Sequence, residues 1–315
     1  MSAVWITGAR GFIGRHLART LAHQGITVVG IGHGAWAPSE AARWGVSSWL
    51  NGSVTGSNLH ALARTGGPPA TVFHLAGGSS VAAAIANPHE DFSRTVHSTA
   101  ALLEWLRQVS PATRLVAVSS AAIYGAGHKG PIPEDAQARP YSPYGYHKYM
   151  MEQLCSSYGA TYQLKSVVLR LFSVYGAGLK KQLLWDLCSR LAAAPETVEL
   201  AGSGEELRDW VEIRDAAAAL AATPQLAERT APVLNVGSGV ATPVKRIVEL
   251  TQAVWHDGLK PASVRFSGFA RAGDPFSLQA DTRRMVTHGL RCTVALEQGI
   301  TDYVRWFQTT DPALS

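Results

Sequence analysis

Short apolar runs alternate with longer segments of helical periodicity along the first half of the chain. The apolar runs are AVWIT, TVVGI, TVFHLAG, RLVAVSS and SVVLRLF, and each has the length of a buried strand. Between them lie segments such as EDFSRTVHSTAALLEWLRQ, which carry apolar residues at spacings of three and four. Strands and helices that alternate in this way predict an α/β fold, with a Rossmann-type doubly wound parallel sheet covered by helices on both faces.

This regularity ends near Ser173. Segments rich in glycine and proline, with short helices, follow, together with one more buried strand in PVLNVGS. We therefore predict a Rossmann domain over residues 1–172, to which a strand near 233–237 returns, and a smaller mixed domain over residues 173–315. A chain of 315 residues suits one large domain plus a smaller one.

Composition and charge narrow the class of protein. The chain is 46% apolar and 16% charged, which is a globular balance. Its net charge is +5, but the basic residues are spread out and form no stripe with interleaved aromatic residues, so we expect an anionic small molecule and no nucleic acid as partner.

No apolar run reaches the roughly 20 residues of a membrane span, and the strand pattern begins by Ala3. These features predict a cytoplasmic protein without a membrane partner.

Three widely separated cysteines carry no recognisable metal or disulfide pattern. Cys155, Cys188 and Cys292 lack the spacing of a zinc site or a disulfide framework. We predict no metal.

The first chemical motif is the glycine-rich turn in WITGARGFIGRHL. It follows the first strand directly and opens a helix near Phe12. Glycines at such a turn allow the backbone to approach a pyrophosphate, and the helix N-terminus presents N–H groups to that anion. The turn therefore predicts a dinucleotide site formed by Gly8, Arg10, Gly11, Phe12, Ile13 and Gly14.

The end of the second strand lacks the acidic residue typical of NAD enzymes. That residue, expected about 20 positions after the glycines, binds the adenosine ribose. Gly32 stands 18 positions after Gly14 and is followed by His33. The gap leaves room for a 2′-phosphate, with His33 and Arg43 as candidate cations, or His33 simply faces solvent. We favour NADP over NAD on this basis.

A tyrosine and a lysine stand four residues apart in PYSPYGYHKYMMEQL. Residues at this spacing share one face of a helix, so Lys148 lies beside Tyr144. A phenol with a pKa near 10 is a poor base, and a nearby cation favours its phenolate. By itself such a pair is more typical of an ordinary helix surface than of a catalytic site.

Eight segments in order link the whole chain to a known family. They are TGARGFIG (Thr7 to Gly14), HLAG (His74 to Gly77), SSAAIYG (Ser119 to Gly125), YGYHK (Tyr144 to Lys148), RLFSVYGAG (Arg170 to Gly178), GSGEELRDWVEIRD (Gly202 to Asp215), NVGSG (Asn235 to Gly239) and RAGDP (Arg271 to Pro275). With these motifs the chain resembles the extended short-chain dehydrogenases/reductases, in the NAD-dependent epimerase/dehydratase branch that acts on nucleotide sugars.

The resemblance implies a role for each matching residue. Tyr144 would be the acid/base, Lys148 would lower its pKa and bind the nicotinamide ribose, and Ser120 would bind the same substrate oxygen as Tyr144. Further cofactor contacts are implied for Gly32, His33, Leu75, Ala76 and Gly77. Substrate contacts are implied for Ser79, Ser80, Ser173, Arg208 and Arg271, the two arginines on the diphosphate.

Several residues depart from the family pattern. Ala121 and Ala122 replace the Asp-Glu pair of 4,6-dehydratases and can neither protonate a leaving hydroxyl nor take a proton from C5, so we expect no dehydratase activity. Thr95 and Ser173 stand where the family often has asparagine. Tyr124 has two interpretations, sugar contact or packing, and either Lys181 or Gln182 would face the substrate.

Two reactions at sugar C4 fit this set of residues. We favour an NADPH-dependent 4-ketoreductase of a nucleotide 4-keto-6-deoxyhexose, because an exchanging cofactor needs no ribose clamp. The alternative is a nucleotide-sugar 4-epimerase with retained NAD. A catalytically inactive, cofactor-sensing regulator is a further alternative, against which the intact Ser120, Tyr144 and Lys148 argue.

The resemblance also implies a homodimer. In the family two helices of each subunit form a four-helix bundle between subunits. The corresponding helices carry an additional apolar edge that includes Leu103, Trp105, Tyr146, Met150 and Leu154. These residues either contact the second subunit or pack internally, and we favour the subunit contact.

Overall fold

A computed structural model describes residues 3–193, 196–255, 262–269 and 274–310. The strands are β1 (Val4–Thr7), β2 (Val28–Gly32), β3 (Val46–Asn51), β4 (Thr71–His74), β5 (Arg114–Ser120), β6 (Pro131–Ile132), β7 (Lys165–Leu171), β8 (Ser173–Tyr175), β9 (Thr197–Leu200), β10 (Leu207–Glu212), β11 (Val233–Val236), β12 (Ala241–Pro243), β13 (Ser263–Phe266) and β14 (Ser277–Ala280).

The helices cover most of the remaining described chain. They are α1 (Phe12–His23), α2 (Pro38–Arg43), α3 (Gly56–Gly66), α4 (Val81–Ala86), α5 (Pro88–Phe92), α6 (Ser98–Val109), α7 (Pro143–Tyr162), α8 (Gln182–Ala192), α9 (Ile213–Ala221), α10 (Val244–Trp255), α11 (Arg283–Thr287) and α12 (Leu296–Thr310). A π-helical segment, Ser93–His97, joins α5 to α6, and two short 3-10 turns cover Ala121–Ile123 and Pro224–Leu226.

Seven strands form one parallel sheet in the order β11-β7-β5-β4-β1-β2-β3. Every residue of β1 and β2 is buried, as is typical of parallel strands covered on both faces. This sheet confirms the predicted α/β Rossmann-type fold. Strand β11 pairs with β7 at one edge, where the sequence predicted a returning strand.

Helices close both faces of this sheet and form two apolar cores. On one face α1 and α9 contribute Leu17 and Leu220. On the other face α3, α6 and α7 contribute Leu59, Leu102 and Met151. For α6 this core face is the apolar stripe that the sequence pattern predicted.

Part of the predicted apolar edge lies inside the chain's own core. Leu103 and Trp105 are only 1% and 3% exposed, and Leu154 packs against the same core. The prediction that these three residues are surplus to the core is therefore wrong. Tyr146 and Met150, in contrast, remain 50% and 43% exposed on α7.

A second layer covers the carboxyl ends of the parallel strands. Strands β12, β10, β14 and β6 form a sheet, with β8 beside β10, and β9 pairs with β13. Leu184 of α8, Ile247 of α10 and Phe307 of α12 share one apolar cluster beside it. Since β6 comes from the first half of the chain, the layer draws on both halves, and the division at residue 172 stays a prediction.

Candidate active site

A cavity of about 1150 Å³ extends from the carboxyl ends of the parallel strands to the second layer. This is where ligands bind in open parallel sheets. Every predicted site residue that the structure describes lines it, namely Gly8, Arg10, Gly11, Phe12, Ile13, Gly14, Gly32, His33, Leu75, Ala76, Gly77, Ser79, Ser80, Ser120, Tyr144, Lys148, Ser173 and Arg208. Arg271 lies outside the described residues.

The glycine-rich turn has the geometry of a pyrophosphate site. Gly8 has a φ of +74°, and a Cβ there would lie 3.1 Å from the backbone nitrogen of Ala76. A Cβ at Gly14 would collide with the carbonyl oxygen of Gly8. Helix α1 begins after Gly11 without a side-chain cap, so its first N–H groups are free to bind an anion. These residues fit a dinucleotide cofactor.

Trp49 packs closely against the end of β2, where the expected carboxylate is missing. A Cβ at Gly32 would lie 3.0 Å from the Trp49 ring. The Trp49 indole N–H donates to the carbonyl of Gly34 over 3.1 Å, and the Gly34 N–H donates to Asn51 Oδ1 over 2.9 Å. A side chain at position 32 would therefore press on the indole, which favours glycine there independently of the cofactor.

Cationic side chains near this loop differ in their placement. The guanidinium of Arg10 lies beside Gly34, and His33 is exposed at the cavity wall. Arg43, the other predicted cation, ends α2 and is not among the residues that line the cavity.

A buried hydrogen-bond chain supports the loop that follows β4. The Ala76 N–H donates to Thr7 Oγ1, the Thr7 hydroxyl donates to His74 Nδ1 over 2.8 Å, and His74 Nε2 donates to Thr99 Oγ1 over 3.0 Å. Thr99 in turn donates to the Thr95 carbonyl. Burial lowers the pKa of His74 to about 3, so its ring is neutral, as this chain of donors and acceptors requires.

Ser120, Tyr144 and Lys148 meet at one wall of the cavity. Ser120 ends β5, and α7 carries the other two side chains. Helix α7 starts where its sequence predicts, because Ser142 Oγ accepts from the Gly145 N–H and Pro143 occupies the first turn. The Lys148 ammonium lies 6.0 Å from the Tyr144 ring centroid.

The surroundings shift the pKa values of both groups. Burial raises the pKa of Tyr144, and a hydrogen bond with Ser120 acts in the opposite direction. Burial lowers the pKa of Lys148 to about 8, against the charges of Asp91 and Glu152, which raise it. At neutral pH this arrangement holds a protonated phenol beside an ammonium group, which donates to the Val118 carbonyl over 2.8 Å.

A buried hydrogen-bonded pair next to these residues was not predicted from the sequence. Asp91 Oδ2 lies 2.6 Å from His147 Nδ1, and the two residues are 5% and 9% exposed. The Asp91 carboxylate also packs so closely against Gly78 that a Cβ there would collide with it. The pair therefore fastens α7 to the loop after β4. The sequence feature that could have revealed this pair was the position of His147 between Tyr144 and Lys148 on one predicted helix.

The other end of the cavity carries the predicted substrate residues. Ser173 begins β8, and Arg208 of β10 donates from Nη1 to the carbonyls of Leu207 and Phe276. Burial lowers the pKa of Arg208, whereas the charge of Asp274 raises it. Ser80 Oγ accepts from Ala83 and caps α4.

Tyr124 is packed and does not line the cavity. It is fully buried, its hydroxyl donates to Asn235 Oδ1 over 2.6 Å, and it accepts from Arg170. Of its two interpretations, packing is therefore correct. Ala121 and Ala122 do line the cavity, with methyl groups where a dehydratase would have carboxylates.

Two properties of the described residues bear on membranes and on metals. None of the helices there combines the length and apolarity that a membrane crossing requires. No group of three histidine, cysteine or acidic side chains in this part of the chain is arranged to hold a metal ion.

The chain is similar over nearly its whole length to proteins of known activity. A UDP-glucose 4-epimerase of Azospirillum brasilense is 29% identical over 303 residues, which cover 90% of this chain and 84% of the relative. The structure of MoeE5 in complex with UDP-glucuronic acid and NAD has a TM-score of 0.86 and 31% identity, and covers 98% of this chain and 100% of MoeE5. The Thermotoga maritima UDP-glucose 4-epimerase with UDP-glucose has a TM-score of 0.86 and 26% identity, over 98% and 99% of the two chains. Residues 4–237 match the family model described as NAD dependent epimerase/dehydratase family. The chain belongs to that family.

Proposed function

We propose that this protein is a nucleotide-sugar 4-epimerase that uses retained NAD and acts on uridine diphosphate sugars. The observation that carries the proposal is the position of Ser120, Tyr144 and Lys148 on the wall of one cavity, between the glycine-rich turn and Arg208. Relatives named as UDP-glucose 4-epimerases support the epimerase over the ketoreductase that the sequence favoured. The NAD in the MoeE5 structure supports this choice of cofactor.

Each residue has a defined task in this reaction. The phenolate form of Tyr144 takes the proton of the C4 hydroxyl and returns it to the C4 oxygen when the hydroxyl is restored with the opposite configuration, and Ser120 binds the same oxygen. Lys148 provides positive charge beside the phenol and favours its ionised form. Bound NAD supplies the reversible oxidation at C4. Arg208 binds the diphosphate, for which its planar guanidinium can donate two charge-assisted hydrogen bonds.

Dehydration does not fit this cavity wall. Loss of water across C5 and C6 needs one group to protonate the leaving hydroxyl and another to take the C5 proton. Ala121 and Ala122 offer neither, and Ser120 is already assigned to the C4 oxygen. The epimerase proposal requires no further acid or base at these two positions.

One observation favours the NADPH-dependent ketoreductase as a second candidate. Arg10 is exposed beside Gly34 and makes no ion pair within the described chain, so its charge is available to a 2′-phosphate. The absence of an acid at Gly32 adds less support than it did in the sequence, because the close packing of Trp49 also favours a glycine there.

A direct experiment separates the two candidates. The purified protein is denatured and the released dinucleotide identified, and the native protein is assayed with UDP-sugars and, separately, with nucleotide 4-keto-6-deoxyhexoses plus NADPH. We expect stoichiometric NAD and C4 conversion without net NADPH oxidation. NADPH oxidation by the keto-sugars without any epimerisation would establish the ketoreductase.

We also propose a homodimer through the exposed apolar surface of α4, α5 and α7. Ile85, Phe92, Tyr146 and Met150 are 55%, 40%, 50% and 43% exposed on these adjacent helices. A second copy that covered them would remove a sizeable apolar area from water. Sedimentation velocity at micromolar concentration should give a dimer, which Tyr146→Glu with Met150→Glu should dissociate. A monomeric wild-type protein would contradict this proposal.

A further inference from the structure

Five lysine and arginine side chains line the cavity within the described chain, and four of them have an assigned role or a carboxylate partner. Arg94 is paired with Glu90, and Lys148 belongs to the catalytic group. Arg10 lies beside Gly34, and Arg208 lies at the nucleotide end. The fifth, Lys181, has no assigned task.

Lys181 is held near the residues proposed to act at C4. Its Nζ donates to the Ser79 carbonyl over 2.8 Å. Ser79 is two residues from Gly77, where a Cβ would lie 3.1 Å from Lys148 Nζ. The Lys181 ammonium therefore contacts the same loop that packs against Lys148. Through this loop it approaches the sugar end of the cavity.

The Lys181 ammonium has no anionic partner among the described residues. Glu90 is the one carboxylate among the described residues that line the cavity, and it is paired with Arg94. Burial lowers the pKa of Lys181, and no neighbouring charge opposes this effect. A cation that is partly withdrawn from water and lacks a counter-charge is stabilised when an anion enters the cavity.

The local backbone holds this side chain at the cavity. Gln182, the next residue, has a φ of +66°, a left-handed conformation that costs energy for a residue other than glycine. Helix α8 begins there without a side-chain cap, so the positive end of its dipole adds to the field of Lys181.

We propose that Lys181 binds a carboxylate on the sugar, so that the preferred substrate is a nucleotide-activated uronate, a hexose with a carboxylate at C6. The proposal rests on the proposed function and assigns its substrate class. The Ser79 hydroxyl, exposed at the cavity wall, is a neutral donor to the same carboxylate. A neutral hexose would leave the ammonium bound to the Ser79 carbonyl alone.

The diphosphate of the nucleotide is the rival anion for Lys181. Both UDP-glucose and UDP-glucuronate carry the diphosphate, and only the second carries the carboxylate. Loss of a phosphate contact would therefore weaken the two substrates equally, whereas loss of a carboxylate contact would weaken one of them. The ratio of the two effects identifies the group that Lys181 binds.

The experiment compares both substrates in the wild-type protein and in three variants. C4 epimerisation is followed for kcat/KM, and binding of UDP-glucuronate, UDP-glucose and UDP is measured by calorimetry. Lys181→Gln removes the charge, Lys181→Arg keeps it, and Lys180→Gln is the matched control, since Lys180 is exposed beside Trp185 and does not line the cavity.

We expect the wild-type protein to prefer UDP-glucuronate. Lys181→Gln should lower kcat/KM and affinity for it about 10- to 100-fold, with little change for UDP-glucose and UDP, because one hydrogen bond to a charged group is lost. Lys181→Arg should retain most of the preference, and Lys180→Gln should behave as wild type.

Three results would overturn the assignment. They are an equal loss for all three ligands, no loss in Lys181→Gln, and a wild-type protein that epimerises UDP-glucose but rejects UDP-glucuronate. If neither sugar is epimerised, the proposed function fails, and the calorimetric difference between the sugars still decides the role of Lys181.

Discussion

Replacing Glu152 with glutamine should affect both the stability of the protein and the pH dependence of its activity. Glu152 lies one turn after Lys148 on α7, and its carboxylate forms two hydrogen bonds with the Arg170 guanidinium, over 3.1 and 2.7 Å. The two residues are 4% and 5% exposed. Glutamine keeps the shape of the side chain but leaves the Arg170 charge buried without a counter-charge.

The expected loss of stability follows from this burial. Breaking a buried ion pair by removing one charge costs about 3–5 kcal/mol, a large fraction of the roughly 5–15 kcal/mol of a typical domain. The Glu152 charge also raises the pKa of Lys148, which burial has lowered to about 8. Without this charge the Lys148 pKa falls further, so the ammonium form is lost at a lower pH.

Urea unfolding and a pH profile of kcat/KM test the two effects separately. The free energy of unfolding should fall in Glu152→Gln, and the alkaline limb of the profile should move to lower pH. Glu249→Gln is the matched control, because its ion pair with Arg246 is exposed and should contribute about 1 kcal/mol or less. Wild-type stability in Glu152→Gln would refute the reasoning on the pair, and an unshifted alkaline limb would refute its coupling to Lys148.

Three further perturbations test the site and the fold. Tyr144→Phe should fold and bind cofactor but lose about 10²- to 10⁴-fold in turnover, and wild-type turnover would remove Tyr144 from the mechanism. Gly14→Ala should abolish cofactor binding in calorimetry, because its Cβ meets the Gly8 carbonyl; unchanged affinity would contradict the proposed turn. Burial lowers the pKa of His16 to about 4 and of His74 to about 3, so both stay neutral in the fold while the unfolded chain takes up protons below pH 6.5. Stability is therefore fully present above pH 6.5 and should fall by about 2 kcal/mol per histidine between pH 8 and pH 5, and urea midpoints that do not move over this range would oppose it.

The sequence predicted those features that depend on local chemistry. The apolar runs indicate buried parallel strands, and the glycines at Gly8 and Gly14 are required by close backbone contacts within one turn. The spacing of Tyr144 and Lys148 places both on one helix face, as the structure has them.

Features that depend on distant residues were not accessible from local patterns. Periodicity shows that Trp105 belongs to an apolar face but not which neighbour covers that face, and the neighbour is the chain itself. Asp91 and His147 are 56 positions apart, so their pairing depends on how α5 meets α7. The glycine at position 32 suggested a cofactor preference, whereas the structure shows that Trp49, from the next strand, packs closely against it and also favours glycine.

The position of β11 at the edge of the large sheet has a consequence for synthesis of the protein. Residues of β7 leave the ribosome well before Val233–Val236, which pair with them. At about 5–20 residues per second the edge of β7 lacks its partner for roughly 3 to 12 s. An open apolar strand edge is a template for pairing with other chains. The yield of folded protein in cells should therefore depend on chaperones that shield this nascent edge until β11 arrives.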